Sequence, residues 1–199
     1  MAYLDQPIDE REIKALMSSY GQAEVQQISV EIDAELYENR FLKSAERRGE
    51  VVFAIHTPQG ILLHRKAFYG DHVFRLPSGG IDYGERVIDA LHREIREETN
   101  LSLSTARFVG VQDAQLLYAG HSIRFVSYVF YVHAKGELRA DAKEQIVELR
   151  FVPPVALHET AEALRLTPPP HDGWGRWRAL AHDLVYKWLI HEEHTPARK

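Results

Sequence analysis

The sequence contains no cysteine, so none of its 199 residues can form a disulfide, a cysteine–zinc site or a thiol nucleophile. It also has no excess of positive charge, because 24 Lys and Arg stand against 29 Asp and Glu, and this balance favours no nucleic-acid partner. No stretch approaches the roughly 20 apolar residues of a membrane span. Met1–Glu10 is polar and acidic, unlike a secretory signal. We therefore expect a soluble cytoplasmic protein without a membrane partner.

Hydrophobic residues make up 45% of the chain and aromatic residues 10%, which is enough for a sizeable core. Strand-like and helix-like patterns interleave, and this predicts an α/β (α+β) fold with a mixed β-sheet. Strands are predicted at residues 25–33, 51–55, 61–66, 106–111, 123–133 and 145–152, and helices at 1–20, 86–99, 155–164 and 174–190. No internal repeat is visible.

Local signals refine three of these segments. Asp9 and Glu12 have the spacing of a helical capping box, and Gly21 is placed to end the first helix. Residues 34–48 stay ambiguous, although Tyr37, Phe41 and Ala45 suit a helical stripe. The run Ser78-Gly79-Gly80 predicts irregular backbone.

The helix predicted at 86–99 places three carboxylates on one narrow face. With Glu94 at zero on a wheel of about 100° per residue, Glu98 lies about 40° to one side and Glu97 about 60° to the other. Like charges at this spacing repel one another. They cluster more stably around a cation, and oxygen ligands select Mg²⁺ or Mn²⁺, which commonly bridges substrate phosphates.

A second interpretation of this helix is a solvated face whose Arg and Glu side chains pair at i,i+4, an arrangement common in Arg-Glu-rich helices. The glycine pair upstream, Gly79 and Gly80, favours the metal site. It lets the backbone approach a cation closely and could offer a carbonyl ligand.

The segment resembles the Nudix box, G-x5-E-x7-R-E-U-x-E-E-x-G-U, where U is an aliphatic residue. The resemblance extends over 23 residues and rests on Gly79, Glu85, Arg93, Glu94, Ile95, Glu97, Glu98 and Leu101. Asn100 replaces the family's second glycine. Asparagine is the next-best residue for the left-handed conformation that often ends a helix, so this departure puts little in doubt.

The resemblance implies a sandwich of mixed sheet between helices and Mg²⁺-dependent (or Mn²⁺-dependent) hydrolysis of a nucleoside diphosphate linked to another moiety. It implies that Glu94, Glu97 and Glu98 bind the metal, joined by a main-chain carbonyl at Gly79 or Ser78. Glu85 and Arg93 would pair and hold the loop against the helix.

The general base varies within this family. The resemblance leaves two kinds of candidate, the box residue Glu94 and a glutamate from a downstream loop. Glu144 and Glu148 are the downstream residues in question, and we favour Glu144. Either of them has an alternative role as an ordinary solvated side chain.

Substrate phosphates would also need cationic partners. Arg65, Lys66, Arg75 and Arg124 lie on or beside predicted strands and are candidates, although Lys and Arg at strand edges are ordinarily solubility features. Tyr118 lies 17 residues beyond Leu101, where some dinucleoside-polyphosphate hydrolases of the family have a tyrosine. Trp174 is a possible aromatic platform for a base, or simply packs the last helix onto the sheet.

We expect three parts: an N-terminal extension at residues 1–48, a hydrolase domain at 49–166 and a C-terminal helix at 167–199. The extension makes a homodimer possible. The main alternative function is a nucleotide-sensing module that binds without hydrolysis, and it would be recognised by tight nucleotide binding without turnover. A Nudix-like isomerase is excluded, because its usual version needs a catalytic cysteine.

Overall fold

A computed structural model describes residues 8–38, 47–140 and 142–194. Its strands are β1 (Glu24–Glu31), β2 (Arg47–Thr57), β3 (Gly60–Lys66), β4 (Ser78–Asp82), β5 (Ser102–Tyr118), β6 (His121–Lys135) and β7 (Ile146–Val152). Its helices are α1 (Glu10–Tyr20), α2 (Ala34–Glu38), α3 (Val87–Thr99), α4 (Leu157–Arg165) and α5 (Asp172–His194), with short 3-10 turns at Ala142–Glu144 and Pro154–Ala156. No helix in these ranges is both long and apolar enough to cross a membrane.

The described strands form one mixed sheet in the order β1-β5-β6-β2-β3-β7, with β4 added to β2. The pairs β1–β5 and β2–β6 are parallel, and the other pairs are antiparallel. This arrangement confirms the predicted fold class.

Helices cover both faces of the sheet, because successive residues of a strand point to opposite sides. Val51 and Phe53 of β2 pack in a cluster with α1 and α3, whereas Val52 and Ala54 pack in a cluster with α4 and α5. Leu91 and Ile95 are the largest apolar side chains of α3 that are fully buried. Burying each such side chain contributes roughly 1.5–3 kcal/mol, and this fixes the orientation of the box helix.

Strands β2 and β3 pair only at their hairpin, through His56–Ile61 and Thr57–Gly60. Farther along, β4 pairs with β2 in place of β3, and Arg75 forms an isolated backbone bridge with His64 on β3. The glycines of β4 and the end of β3 are thereby both directed towards α3.

The prediction of irregular backbone at Ser78-Gly79-Gly80 is wrong, since these residues begin β4 and pair with β2. The glycines let neighbouring side chains lie close to the strand; they do not give the backbone an irregular conformation. A Cβ on Gly79 would overlap the carboxyl group of Glu94, and a Cβ on Gly80 would overlap the Arg47 side chain. Only glycine lets the strand lie this near to α3.

Several boundaries also differ from the sequence predictions. Strand β1 ends before Asp33, because the Asp33 carboxylate accepts the Leu36 N–H at 2.6 Å and begins α2. Strand β5 is much longer than the predicted 106–111, since all of it pairs with β6. The predicted stripe residues Phe41 and Ala45 lie outside the described residues, as do residues 1–7 of the first helix.

Helix ends agree better with their local signals. The Asp9 carboxylate accepts the N–H groups of Arg11 and Glu12, as an N-cap does. Glu12 does not complete a reciprocal box; it binds Arg48 through two hydrogen bonds of 2.8 and 2.9 Å. Asn100 ends α3 in the left-handed region at φ 60°, which confirms the interpretation of that substitution.

Candidate active site

The connection between β4 and α3 is held by one arginine. Arg93 donates to both carboxylate oxygens of Glu85 at 2.9 Å and to the carbonyl of Gly80 at 2.8 Å. Glu85 also accepts the Asp82 N–H at 3.0 Å, and the hydrogen bonds from Arg93 are the main cause that lowers the pKa of Glu85. The pair therefore fixes the glycine strand against the helix, in the geometry that the resemblance implied.

Glu94 lies directly beneath Gly79 and is 6% exposed. Arg93 Nη1 is 2.6 Å from its Oε1. Burial raises the pKa of Glu94 to about 7, and the hydrogen bond from Arg93 opposes that rise only in part. The site thus holds a carboxylate whose charge is poorly solvated.

Glu98, one turn farther along α3, is 1% exposed. Neither of its oxygens accepts an aligned hydrogen bond from the described residues. Lys66 Nζ is 2.9 Å from Oε1, which is an ion-pair distance without hydrogen-bond alignment. Burial raises the pKa of Glu98, and the charges of Lys66 and Arg75 oppose this.

His64 on β3 completes this buried corner, with Nδ1 3.7 Å from Glu98 Oε2. Burial is the main cause that holds the pKa of His64 well below its usual value, so the ring is neutral and does not form an ion pair with Glu98. Both ring nitrogens are buried without a partner among the described residues. Unused donors and acceptors therefore surround Glu98.

Glu97 differs from its two neighbours. Its side chain is 47% exposed and lies 3.0 Å from Arg93 Nη1. Within residues 8–38, 47–140 and 142–194, no group of three His, Asp or Glu side chains converges to hold a metal. The structure therefore brings Glu94 and Glu98 together under β4 and leaves Glu97 at the rim.

The donor set nevertheless suits a hard divalent cation. The two buried carboxylates offer oxygen ligands, the two oxygens of Glu98 accept no aligned hydrogen bond, and Gly79 leaves room for close approach of the backbone. Unsatisfied buried carboxylate oxygens are costly for a protein to keep, so they call for an explanation.

Of the downstream glutamates, Glu144 is connected to this corner. Its Oε2 is 3.3 Å from Lys66 Nζ, so Lys66 bridges Glu144 and Glu98. Glu148 instead lies across the β3–β7 pair from Arg65, with Arg65 Nη2 3.3 Å from its Oε2.

The other sequence candidates separate into two groups. Arg75 is buried near Glu98 and donates to the Ser78 hydroxyl at 2.9 Å, beside Gly79. Arg65, by contrast, is paired with Glu148, and Tyr118 has its ring 5.0 Å from the ring of Tyr37. Arg124 is bound to Asp113 on the neighbouring strand at 2.6 and 2.7 Å.

Sequence reasoning missed a buried polar network behind Ser78. Glu50 on β2 accepts from Arg178 on α5 at 2.8 Å to each oxygen, from Ser127 at 2.8 Å and from Ser78 at 3.3 Å. The available signal was Glu50 itself, an acid at the start of the apolar run 51–55. Its partner lies 128 residues away along the chain, so no local pattern reveals the pair.

His182 on α5 supports the same region. Its Nε2 accepts the Leu76 N–H at 2.9 Å, so its proton is on Nδ1, which donates to the Arg178 carbonyl at 2.9 Å. Burial lowers the pKa of His182 to about 3. The C-terminal helix thus holds the backbone just before β4 through a neutral imidazole.

A family model described as the NUDIX domain matches residues 46–173 of this chain. The chain belongs to the Nudix family. It is therefore a hydrolase that acts on pyrophosphate bonds, in a family whose members generally use divalent cations and small-molecule nucleotide substrates.

Solved structures of Nudix hydrolases also resemble this chain. A MutT NUDIX hydrolase from Burkholderia pseudomallei is 26% identical, with a TM-score of 0.49; the match covers 70% of this chain and 97% of that one. A NUDIX hydrolase from Nitrosomonas europaea is 18% identical, with a TM-score of 0.49, and the match covers 74% of this chain and 91% of that one.

Proposed function

We propose that this Nudix hydrolase cleaves a nucleoside diphosphate linked to another moiety, with Mg²⁺ or Mn²⁺ as its cofactor. The observation that supports this proposal most directly is Glu98. It is a fully buried carboxylate, next to a second buried carboxylate, and neither of its oxygens accepts an aligned hydrogen bond from the described residues.

In this proposal Glu94 and Glu98 hold the cation, with Glu97 and the main-chain carbonyl of Gly79 as further ligands. A bound divalent cation would neutralise the diphosphate and lower the pKa of the attacking water. Glu85 and Arg93 act indirectly, because their paired hydrogen bonds fix Gly80 and therefore the position of Gly79 relative to the helix.

The cationic side chains orient the diphosphate. Lys66 lies between Glu98 and Glu144 and can exchange a carboxylate for a phosphate oxygen when substrate enters. Arg75 is fixed by Tyr69, the Leu76 carbonyl and Ser78, so its charge is already oriented before substrate arrives. Arg65 and Tyr118 are weaker candidates for substrate contacts, because the structure pairs Arg65 with Glu148 and Tyr118 with Tyr37.

Glu144 is our proposed general base. Water oxygen attacks phosphorus, the bridging P–O bond breaks, the departing phosphate takes the electron pair of that bond, and the water proton passes to the Glu144 carboxylate. Glu94 is less suited to this role, since Arg93 already donates to it at 2.6 Å.

The experiment is an activity screen over nucleoside triphosphates, nucleotide sugars, dinucleoside polyphosphates and ADP-ribose with Mg²⁺ or Mn²⁺, followed by Glu98→Gln on the best substrate. We expect kcat/KM to fall at least about 100-fold, because the charge is removed and the volume is kept. Glu159→Gln, an exposed change on α4, is the matched control and should be neutral.

Unchanged turnover in Glu98→Gln would contradict the proposed site. Tight, metal-dependent nucleotide binding with no turnover of any compound would favour the sensing module instead. The cytoplasmic location and the homodimer stay predictions, and gel filtration tests the second.

A further inference from the structure

A pocket lies beside the proposed active site, between α2, the connection from β3 to β4 and the beginning of α5. Its enclosed volume is about 130 Å³, below the ~300–1,000 Å³ of sites that enclose a whole drug-sized ligand, so the pocket has room for only part of a ligand. Its walls include Phe68, Tyr69, Trp174, Glu35 and His171.

Three aromatic rings line this pocket. The Tyr69 ring is 4.7 Å from the Trp174 ring and 4.8 Å from the Phe68 ring. Phe68 is 64% exposed, which is unusual for so large an apolar side chain beside two other rings. A cluster of this kind, partly open to solvent, is typical of a surface that binds a planar ligand.

One hydrogen-bonded side chain, Arg75, connects the pocket to the carboxylate site. The Tyr69 hydroxyl accepts from Arg75 Nε at 2.7 Å, and Nη1 of the same arginine donates to Ser78, the residue before Gly79. The charge of Arg75 also acts on Glu98. A ligand with its ring against Tyr69 would therefore be one hydrogen-bonded side chain away from Arg75, which itself contacts Ser78.

The charges in the pocket favour a neutral ring over an ion. Arg75 lies 5.6 Å from the Tyr69 ring centroid, so a cation already faces that ring and a second one would be repelled. Both oxygens of Asp33 are occupied by N–H groups of Leu36 and Trp174. A phosphate would be repelled by Asp33 and Glu35. A nucleobase is neutral and can donate its amino hydrogens to the exposed Glu35 carboxylate, one oxygen of which lies 3.6 Å from His171 Nδ1.

We propose that this pocket binds the nucleobase of the substrate, with Trp174 and Phe68 as stacking surfaces and Glu35 as a hydrogen-bond acceptor. The inference rests on the proposed function and names where the nucleoside half lies. Asp33 and Glu35 precede the family match at 46–173 and Trp174 follows it, so both extensions contribute to the base site beside Phe68 and Tyr69, which lie within the match.

The test measures nucleoside binding without metal, so that it does not depend on hydrolysis. Adenosine, guanosine, cytidine and uridine are titrated into the full chain in EDTA, followed by tryptophan fluorescence and saturation-transfer NMR. We expect at least one of them to bind, and Phe68→Ser and Trp174→Leu each to weaken it about tenfold, the scale of base–aromatic stacking.

Trp188→Leu is the matched control, because Trp188 is on the same helix but stacks on Tyr131, and it should leave binding unchanged. Phe68→Ser is expected to stay folded, because an exposed side chain contributes little to stability. Weaker binding in this variant would therefore not be explained by misfolding. The same two pocket variants should raise KM for the best nucleotide substrate more than they change kcat.

The proposal is overturned if none of the four nucleosides binds, if Phe68→Ser and Trp174→Leu bind as the wild type does, or if choline binds in preference, which would indicate a cation cage. Nucleoside binding without hydrolysis of any substrate would contradict the proposed function but not the proposed base site. If the protein hydrolyses its substrate but the two pocket variants bind nucleoside as tightly as the wild type does, the proposed base site is wrong and the proposed function stands.

Discussion

Two glutamates on opposite faces of the sheet, Glu50 on β2 and Glu98 on α3, are 2% and 1% exposed. Glu50 receives hydrogen bonds on both oxygens from Arg178, Ser127 and Ser78. Among the described residues, Glu98 has the misaligned ammonium of Lys66 at 2.9 Å, the charge of Arg75 nearby and a neutral His64 that has no hydrogen-bond partner of its own.

The difference separates a structural carboxylate from a functional one. A buried charge normally needs full pairing, as at Glu50, where the pairs tie α5 to β2 and to the residue before Gly79. A carboxylate left unsatisfied at equal depth lowers the stability of the fold, and proteins keep such residues where a ligand completes them. Glu50 therefore supports the site, and Glu98 belongs to it.

The largest stability effect is expected at Glu50. Glu50→Gln should reduce the free energy of unfolding by about 3–5 kcal/mol, because it leaves the buried Arg178 without its carboxylate. Chemical denaturation measures this. Glu24→Gln is the control, since Glu24 also links the sheet to α5, through Lys187, but is 43% exposed, and it should cost under about 1 kcal/mol. Equal losses in the two variants would show that burial of the pair does not matter.

Glu98→Gln should change the free energy of unfolding in the opposite direction, by increasing it. In EDTA we expect the variant to be more stable than the wild type by about 1–3 kcal/mol, because a neutral amide costs less to bury than a carboxylate that Lys66 pairs with only in part. Lys66 keeps Glu144 as a partner. Because burial raises the pKa of Glu98, ionisation costs stability as pH rises, so the gain should grow towards alkaline pH and vanish below about pH 4. A variant less stable than the wild type at pH 8 would mean that Glu98 is structural.

His182 should make the Glu50 side of the molecule sensitive to acid. Its pKa is lowered to about 3 in the fold against roughly 6.5 when unfolded, so its contribution is complete above pH 6.5 and is lost as pH falls towards 3. The loss is at most about 1.4 kcal/mol per pH unit for one proton. His182→Gln should flatten the pH dependence of stability, whereas His92→Gln, exposed on α3, should not.

The smallest effect concerns the beginning of α3, where Arg86 provides no side-chain cap. Glu12 of α1 accepts the Val87 N–H at 3.2 Å in its place. Glu12→Ala should destabilise the protein by about 1–2 kcal/mol, because it removes both this cap and the two hydrogen bonds to Arg48, with Glu10→Ala as the exposed control on the same helix. Thermal unfolding distinguishes the two, and equal midpoints would show that α1 does not cap the box helix.

The part of this picture that was predictable is local in sequence. Glu94 and Glu98 are four residues apart on one helix, and the Asn100 cap is a property of a single residue, so periodicity was sufficient to place the two carboxylates on one face. Their role as metal ligands is a prediction that comes from the resemblance to the Nudix box. The strand at Ser78-Gly79-Gly80 was not predictable, because its stability comes from pairing with Val51 and Glu50 rather than from its own residues.

The contacts that the sequence did not predict join residues that are far apart along the chain. Arg178 reaches Glu50 only after the sheet has formed, and Trp174 reaches Tyr69 only after α5 has packed. Glu97 shows the limit of the helical wheel. It lies about 60° from Glu94 on the wheel, and in the structure its side chain is half exposed and paired with Arg93.

Calorimetric titration of Mn²⁺ into the metal-free wild type, Glu98→Gln and Glu159→Gln shows whether Glu98 binds the metal. We expect wild type and Glu159→Gln to bind Mn²⁺ alike, and Glu98→Gln to bind it more than about tenfold more weakly while remaining folded. Equal affinity in all three proteins would contradict the claim that the unsatisfied carboxylate of Glu98 is a metal ligand.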